Sequence, residues 1–287
     1  MSTACPDALP ESWLVPDWPA PPGVHALCTS REGGVSRAPW GSLNLGDHVG
    51  DEPAAVRANR LRLQEAVRAR TPGACTVFLQ QVHGVDVAVL APDSAQGRPF
   101  DACVTRDPGV VCTIMVADCL PVLLAHRSGA VVGAAHAGWR GLAGMPPGHG
   151  QPLAGGVIET LFARFAGEAD AAGQGGEQVA GQTLAWLGPC IGPRHFEVGP
   201  EVREAFLSRD VEAARHFQPA HGPGKFLADL AQLARQRLAA LGIMAVYGND
   251  GSDGWCTVGN ASRFFSHRRD GAALGASGRF AACIWRG

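Results

Sequence analysis

Short apolar runs rich in β-branched residues alternate along this chain with segments of helical period, and no other feature restricts its fold as much. Thr76 to Leu79, Val85 to Leu90, Val110 to Val116, Val122 to Ala125, Ala130 to Ala135, Leu184 to Leu187, Ile243 to Tyr247 and Phe280 to Trp285 read as strands. Between them, Pro53 to Ala69 reads as a helix: Asp51 lies near its start, Pro53 suits a first helical position, and Val56, Leu63 and Val67 share roughly one face. Val157 to Phe165 follows the same logic. Phe226 to Leu241 is expected to be the clearest helix, because Leu227, Leu230, Ala234, Leu238 and Leu241 recur at helical spacing and Gly242 can cap the end. Ala143 to Gly156 and Gly167 to Gly181, dense in Gly with Pro, Ala or Gln, read as loops. The expectation is an α/β protein whose sheets are largely covered by helices.

A chain of 287 residues buries roughly three quarters of its extended surface, enough for a large core. With 24 basic and 26 acidic residues, its net charge of -2 provides no global field for nucleic acid or an anionic membrane. Any phosphate recognition must therefore be local. The 9 cysteines are odd in number and scattered, which fits a reducing compartment. Met1 to Pro22 shows no secretory pattern, and Val110 to Ala125, broken by Asp118 and Pro121, is too short to span a bilayer. A cytoplasmic protein without a membrane partner is expected.

Three stretches each offer one metal ligand: Gln80-Gln81-Val82-His83-Gly84, Ala117-Asp118-Cys119-Leu120-Pro121 and Ala135-His136-Ala137-Gly138-Trp139-Arg140-Gly141. Two imidazoles and a thiolate from separate segments suit zinc with a fourth position open for water or substrate, which is a catalytic rather than a structural arrangement. A structural knuckle more often uses a close Cys pair, and the chain has no Cys-x-x-Cys. Each ligand also has a plain reading, Cys119 as a core thiol and either His as a strand-end residue bonded to a carbonyl. The charged and glycine-rich neighbours Asp118, Gly138, Arg140 and Gly141 favour a site.

Four more motifs accompany these: Thr29 to Ser36, Ser42-Leu43-Asn44-Leu45-Gly46, Gly188-Pro189-Cys190-Ile191-Gly192-Pro193 and Phe264 to Asp270. In this order, from about His25 to Trp285, the seven motifs resemble the bacterial YfiH-like family. Its members go by the names laccase-domain polyphenol oxidase, purine nucleoside phosphorylase and peptidoglycan editing factor. The resemblance implies a single layered domain of mixed β-sheets, here residues 25–287 after an N-terminal extension of residues 1–24. It also implies zinc binding by His83, Cys119 and His136. The activities implied are phosphorolysis of adenosine, inosine, guanosine and methylthioadenosine, and deamination of adenosine to inosine. Purine nucleosides and inorganic phosphate are then the expected partners. The segment from Met145 to Pro152 looks inserted relative to the family pattern.

Candidate substrate contacts follow from what phosphorolysis requires. Arg31, in a turn with Gly33 and Gly34, offers a guanidinium fork for an oxyanion or a flat face for a base, and Arg140 is the next choice. Asn44 can bond a nucleoside, His48 can act as acid or base, and Asp118 can orient a metal-bound His or serve as a base. Their plain readings are a surface ion pair for Arg31, a turn former for Asn44 and a cap for Asp118. Ser266 to Asp270 is a further basic cluster in which Arg269 and Asp270 can simply screen one another. Rival functions are a copper polyphenol oxidase, an amidase acting on a cell-wall precursor through Cys119 or metal-bound water, and a non-enzymatic metal-binding protein. The first normally requires many His ligands and His-x-His pairs, which this chain lacks.

Overall fold

A computed structural model describes residues 9–144, 155–176 and 178–287. The strands in chain order are β1 (Val24–Cys28), β2 (Cys75–Phe78), β3 (Val87–Val89), β4 (Ala102–Thr105), β5 (Val110–Val116), β6 (Leu120–His126) and β7 (Val132–Ala137). They continue with β8 (Thr183–Leu187), β9 (Glu197–Val198), β10 (Phe217–Pro219), β11 (Phe226–Ala228), β12 (Ala245–Gly248) and β13 (Phe280–Arg286). The helices are α1 (Pro53–Arg70), α2 (Trp139–Ala143), α3 (Val157–Ala171), α4 (Pro200–Leu207), α5 (Leu230–Ala240) and the single turn α6 (Ala272–Leu274).

Two mixed sheets carry the molecule, one in the order β1-β13-β5-β2 and one in the order β12-β8-β6-β7-β4-β3; β10-β11-β9 form a small third sheet. The large sheets pack face to face. Ile114, Val116, Ala282 and Ile284 of one meet Leu123, Ala125, Val132 and Ala134 of the other in a common cluster. On the far side of the six-stranded sheet, Val122 and Leu124 pack with Leu161 and Phe165 of α3 and Leu238 of α5. On the far side of the four-stranded sheet, Val111 and Met115 pack with Leu63 and Val67 of α1. A helix–sheet–sheet–helix stack results, and it explains the unbroken apolar runs. Every residue of β5, β6 and β7 is buried because both faces of each strand are covered.

The helix expected at Phe226 to Leu241 is corrected at its start. Phe226–Ala228 pair with β9 and β10, and the helix begins only at Leu230, where the Asp229 side chain accepts from the Gln232 amide and caps it. The loop expected from Gly167 is also corrected, since α3 runs on to Ala171 and buries Ala169 on the face that carries Leu161 and Phe165. Helical spacing there continued past a solvent-facing glycine. The inserted-looking segment Met145 to Pro152 lies outside the described residues. Before His25 the described chain is tied to the fold, with Trp13 buried and Leu14 bridged to Cys28. Among the described residues no helix is long and apolar enough to cross a membrane.

Candidate metal centre and its cavity

β2 and β5 belong to one large sheet, and β3 and β6 to the other, so the chain crosses between sheets after β2 and again after β5. His83 lies on the first crossover and Cys119 on the second. His136 projects from β7 beside them, opposite Pro121 in the β6 register. The three ligand atoms lie within 4.8 Å of one another, and Cys119 Sγ is 3.8 Å from His83 Nε2. At usual zinc bond lengths, sulfur and nitrogen in a tetrahedral set stand about 3.5 Å apart, so the spacing fits one shared ion. The imidazoles meet edge to face with centroids 4.8 Å apart. His136 is buried, Cys119 half-buried and His83 exposed, so the cluster opens on one side.

Asp101, which sequence reasoning missed, organises two of the three ligands. Its fully buried carboxylate accepts from His136 Nδ1 at 2.8 Å through Oδ1. The same carboxylate also accepts from the amides of Val82, His83 and Gly84 at 3.1, 2.9 and 2.7 Å. These bonds leave Nε2 of His136 as the nitrogen free to take a metal and hold His83 at φ 62°, in the left-handed region that non-glycine residues seldom adopt. Gln81 fastens the same crossover to β5, donating to the Met115 carbonyl and accepting from its amide. Burial pushes the Asp101 carboxyl up, but the His136 bond and the Gly84 and Val82 amides outweigh it and hold the group below its ordinary range.

The electrostatics favour the ligand-ready form of the cysteine. Burial opposes ionisation of Cys119, yet His136 and His83 lower its pKa to about 6. Burial lowers the His136 pKa, while the Cys119 thiolate and Asp101 together raise it to about 9. Without metal the pair is thus a thiolate and an imidazolium. Gly138 lies against the ligands: a Cβ there would stand 3.0 Å from His83 Cδ2 and 3.1 Å from Cys119 Sγ. Among the described residues this is the one group of three or more His, Cys, Asp or Glu placed to share an ion.

The cluster opens into a cavity of about 310 Å³, at the lower end of the roughly 300–1,000 Å³ usual for small-molecule sites. Trp139, Ile191, Phe196 and Leu230 contribute apolar wall, while His48, His267, Arg268 and Arg279 contribute the cationic or titratable groups. Asp118 is also at the wall, with φ 88°. Its carboxylate accepts from Thr257 Oγ1 at 2.5 Å and from the Arg268 amide at 2.6 Å, and its carbonyl accepts from the Ile191 amide at 2.9 Å. The Gly188 to Pro193 motif and the Ser266 to Asp270 motif are thereby drawn against the metal loop.

The remaining candidates stand outside the cavity lining. Arg31 donates to the carbonyls of Gly41 and Ala261, lies 3.7 Å from Asp270 and covers the Phe265 ring. Arg140 is exposed and lies over its neighbour Trp139. Asn44 is fully buried and bonded to Gly46, Asp51 and the Arg279 amide. Arg269 and Asp270 form a 2.7 Å ion pair, and Arg269 also donates to the carbonyls of Thr257, Val258 and Phe264. Arg279, a second residue missed in the sequence, precedes β13 in a plain Ser-Gly-Arg run whose only signal was a cation at the mouth of an apolar strand.

Residues 25–287 match the family described as multi-copper polyphenol oxidoreductase laccase. A purine nucleoside phosphorylase of Pseudomonas aeruginosa is 47% identical over 274 residues, covering 96% of this chain and 98% of its own. The purine nucleoside phosphorylase YfiH of Escherichia coli is 45% identical over 272 residues, covering 95% of this chain and 98% of its own. A crystal structure of a Neisseria meningitidis DUF152 protein superposes with a TM-score of 0.80 at 43% identity, covering 96% of this chain and 99% of that one.

Proposed function

The chain belongs to the multi-copper polyphenol oxidoreductase laccase family, and we propose that within it this protein is a cytoplasmic, zinc-dependent purine nucleoside phosphorylase. Residues 25–287 are its single catalytic domain, and adenosine, inosine, guanosine and methylthioadenosine are its substrates. A secondary deamination of adenosine uses the same site. The observation that carries this reading is the open His83–Cys119–His136 cluster at the wall of a cavity that also holds cations and apolar surface. Relatives named as purine nucleoside phosphorylases across nearly the full chain support it.

In phosphorolysis a phosphate oxygen bonds to the ribosyl C1′ as the glycosidic bond breaks, its electrons leaving with the purine, which takes up a proton. The products are free base and ribose 1-phosphate, or methylthioribose 1-phosphate from methylthioadenosine. A zinc ion there would supply Lewis acidity toward an oxygen, or toward water for the deamination. His83, Cys119 and His136 would hold it, and Asp101 positions the two histidines. The apolar wall excludes water around the base. His48 is kept below the usual histidine range by burial and then by Arg279, so near neutral pH it is an uncharged donor or acceptor suited to proton exchange with the purine. Asp118 ties the segment carrying Arg268 to the metal loop.

The decisive experiment is mass-spectrometric product analysis of metal-quantified protein given inosine and adenosine, with and without phosphate. Ribose 1-phosphate formed only with phosphate is the expected result, and cleavage undiminished by phosphate removal would sink phosphorolysis. The thiolate–imidazolium pair also suits a cysteine amidase, which would survive chelation and die on alkylation. Copper chemistry is expected to be adventitious, so phenol oxidation by stoichiometrically copper-loaded protein at rates exceeding nucleoside turnover would reverse that assignment.

A further inference from the structure

Arg279 stands out among the cations of the cavity by what it lacks. Its guanidinium lines the same space as the metal cluster and is half-buried, with burial the chief cause of a lowered pKa. Among the described residues its hydrogen bonds both leave Nη1, to the carbonyls of Ser277 and Gly278 at 2.9 and 3.1 Å. No described carboxylate forms an ion pair with it, and Nε and Nη2 have no described hydrogen-bond partner. Arg268, by contrast, donates from both terminal nitrogens to the carbonyls of His195 and Glu197. A guanidinium at a cavity wall with its Nε–Nη2 edge unspent offers two parallel donors to an anion.

The nearest negative groups do not complete it. Asp118 is occupied by Thr257 and the Arg268 amide. The Cys119 thiolate becomes a ligand when the metal binds, and a divalent ion then adds more positive charge than the thiolate offsets. The loaded site is therefore short of negative charge beside Arg279.

The backbone beneath Arg279 is built with care. Asn44 Oδ1 accepts from the Arg279 amide at 2.8 Å and from the Gly46 amide at 2.9 Å, while Nδ2 donates to Asp51 and to the Gly46 carbonyl. At Gly46 a Cβ would stand 2.8 Å from Arg279 Cγ, so only glycine leaves room for the arginine stem. The Ser42 to Gly46 motif, which lines no part of the cavity, thus acts on it through Arg279.

Building on the phosphorolytic reading above, we infer that Arg279 is the oxyanion ligand of the cavity, holding inorganic phosphate beside the metal cluster through Nε and Nη2, with Asn44 and Gly46 as its positioning residues. A guanidinium edge presents two parallel donors to two phosphate oxygens, which a lysine cannot reproduce.

The test is calorimetric titration of inorganic phosphate into full-length, zinc-loaded protein. Arg279→Met is expected to weaken binding about tenfold or more, the scale of losing a charge-assisted pair. Arg279→Lys is expected to fall between Met and wild type. Zinc content and melting temperature should stay at wild-type values in both, and the Lys variant carries the test if the Met variant fails to fold. Phosphate binding unchanged in both variants, or absent from the wild type, overturns the inference. If binding is unchanged while inosine cleavage still requires phosphate, phosphorolysis stands and only the assignment of Arg279 falls. If phosphate binds through Arg279 and no nucleoside is cleaved, the slot stands and the phosphorolytic reading falls.

Discussion

Two aspartates flank the metal cluster, and they do opposite jobs. Asp101 is fully buried and bonds directly to a ligand imidazole and to three consecutive amides around another ligand. Asp118 adjoins Cys119 in sequence, yet its carboxylate is spent on Thr257 and on the amide of Arg268, a cavity-lining residue. The aspartate next to a ligand in sequence shapes the cavity, and the one distant in sequence from Cys119 and His136 shapes the metal site. Proximity along the chain is a poor guide to which group tunes a ligand, because only a bond to the ligand's own ring fixes its tautomer and basicity.

Exchanging each carboxylate for an amide sharpens the contrast. Asp101→Asn should cost about 10–100-fold in zinc affinity, the usual scale for losing such a partner. Asp118→Asn should leave zinc affinity within about twofold of wild type, since no ligand side chain bonds to it. Competition with a chelating dye measures both, and equal losses would erase the distinction.

The pH dependence of the metal-free protein separates them again. Because the folded Cys119 pKa is lowered to about 6, its thiolate persists as pH falls until that value and is then protonated. Alkylation of Cys119, followed by peptide mass spectrometry to separate it from exposed Cys75, should be half-maximal near pH 6. In Asp101→Asn the imidazolium of His136 loses its carboxylate, its pKa falls, and the Cys119 midpoint should move up. In Asp118→Asn the midpoint should stay, and a shared upward shift would show that both carboxylates act on the ligand pair.

The smallest effect is expected on substrate handling. Loosening the Asp118–Thr257 bond by Thr257→Val should raise the nucleoside KM about threefold, on the scale of one modest hydrogen bond, with zinc content unchanged. Steady-state kinetics on metal-quantified protein checks it. Zinc loss in that variant would mean that the Asp118–Thr257 bond also holds the metal loop.

The legibility of the chain followed the range of the interactions. The strand Val110–Val116 was readable as an unbroken apolar, β-branched run, and the helix Pro53–Arg70 by its helical period, because burial on two faces or on one leaves each of these local marks. Phe226–Ala228 was misread because three apolar residues preceding Asp229 continue a helical spacing while pairing as a strand. His83, Cys119 and His136 were readable as ligand types within motifs. Asp101 sat unmarked before the apolar run of β4, and Arg279 unmarked before β13. Neither offers a spacing or a composition that distinguishes it from any polar residue at a strand start.

What the sequence determined by itself was the alternation of elements, the presence of one ligand-type side chain in each of three motifs and the family to which their order points. What only the tertiary structure decided was the company those residues keep. Two crossovers between stacked sheets bring His83 and Cys119 to His136, and bonds spanning 139, 150 and 235 positions join Asp118 to Thr257, Asp118 to Arg268 and Asn44 to Arg279. Such pairs depend on strand register and on how one sheet lies over the other, and a local window of sequence carries neither.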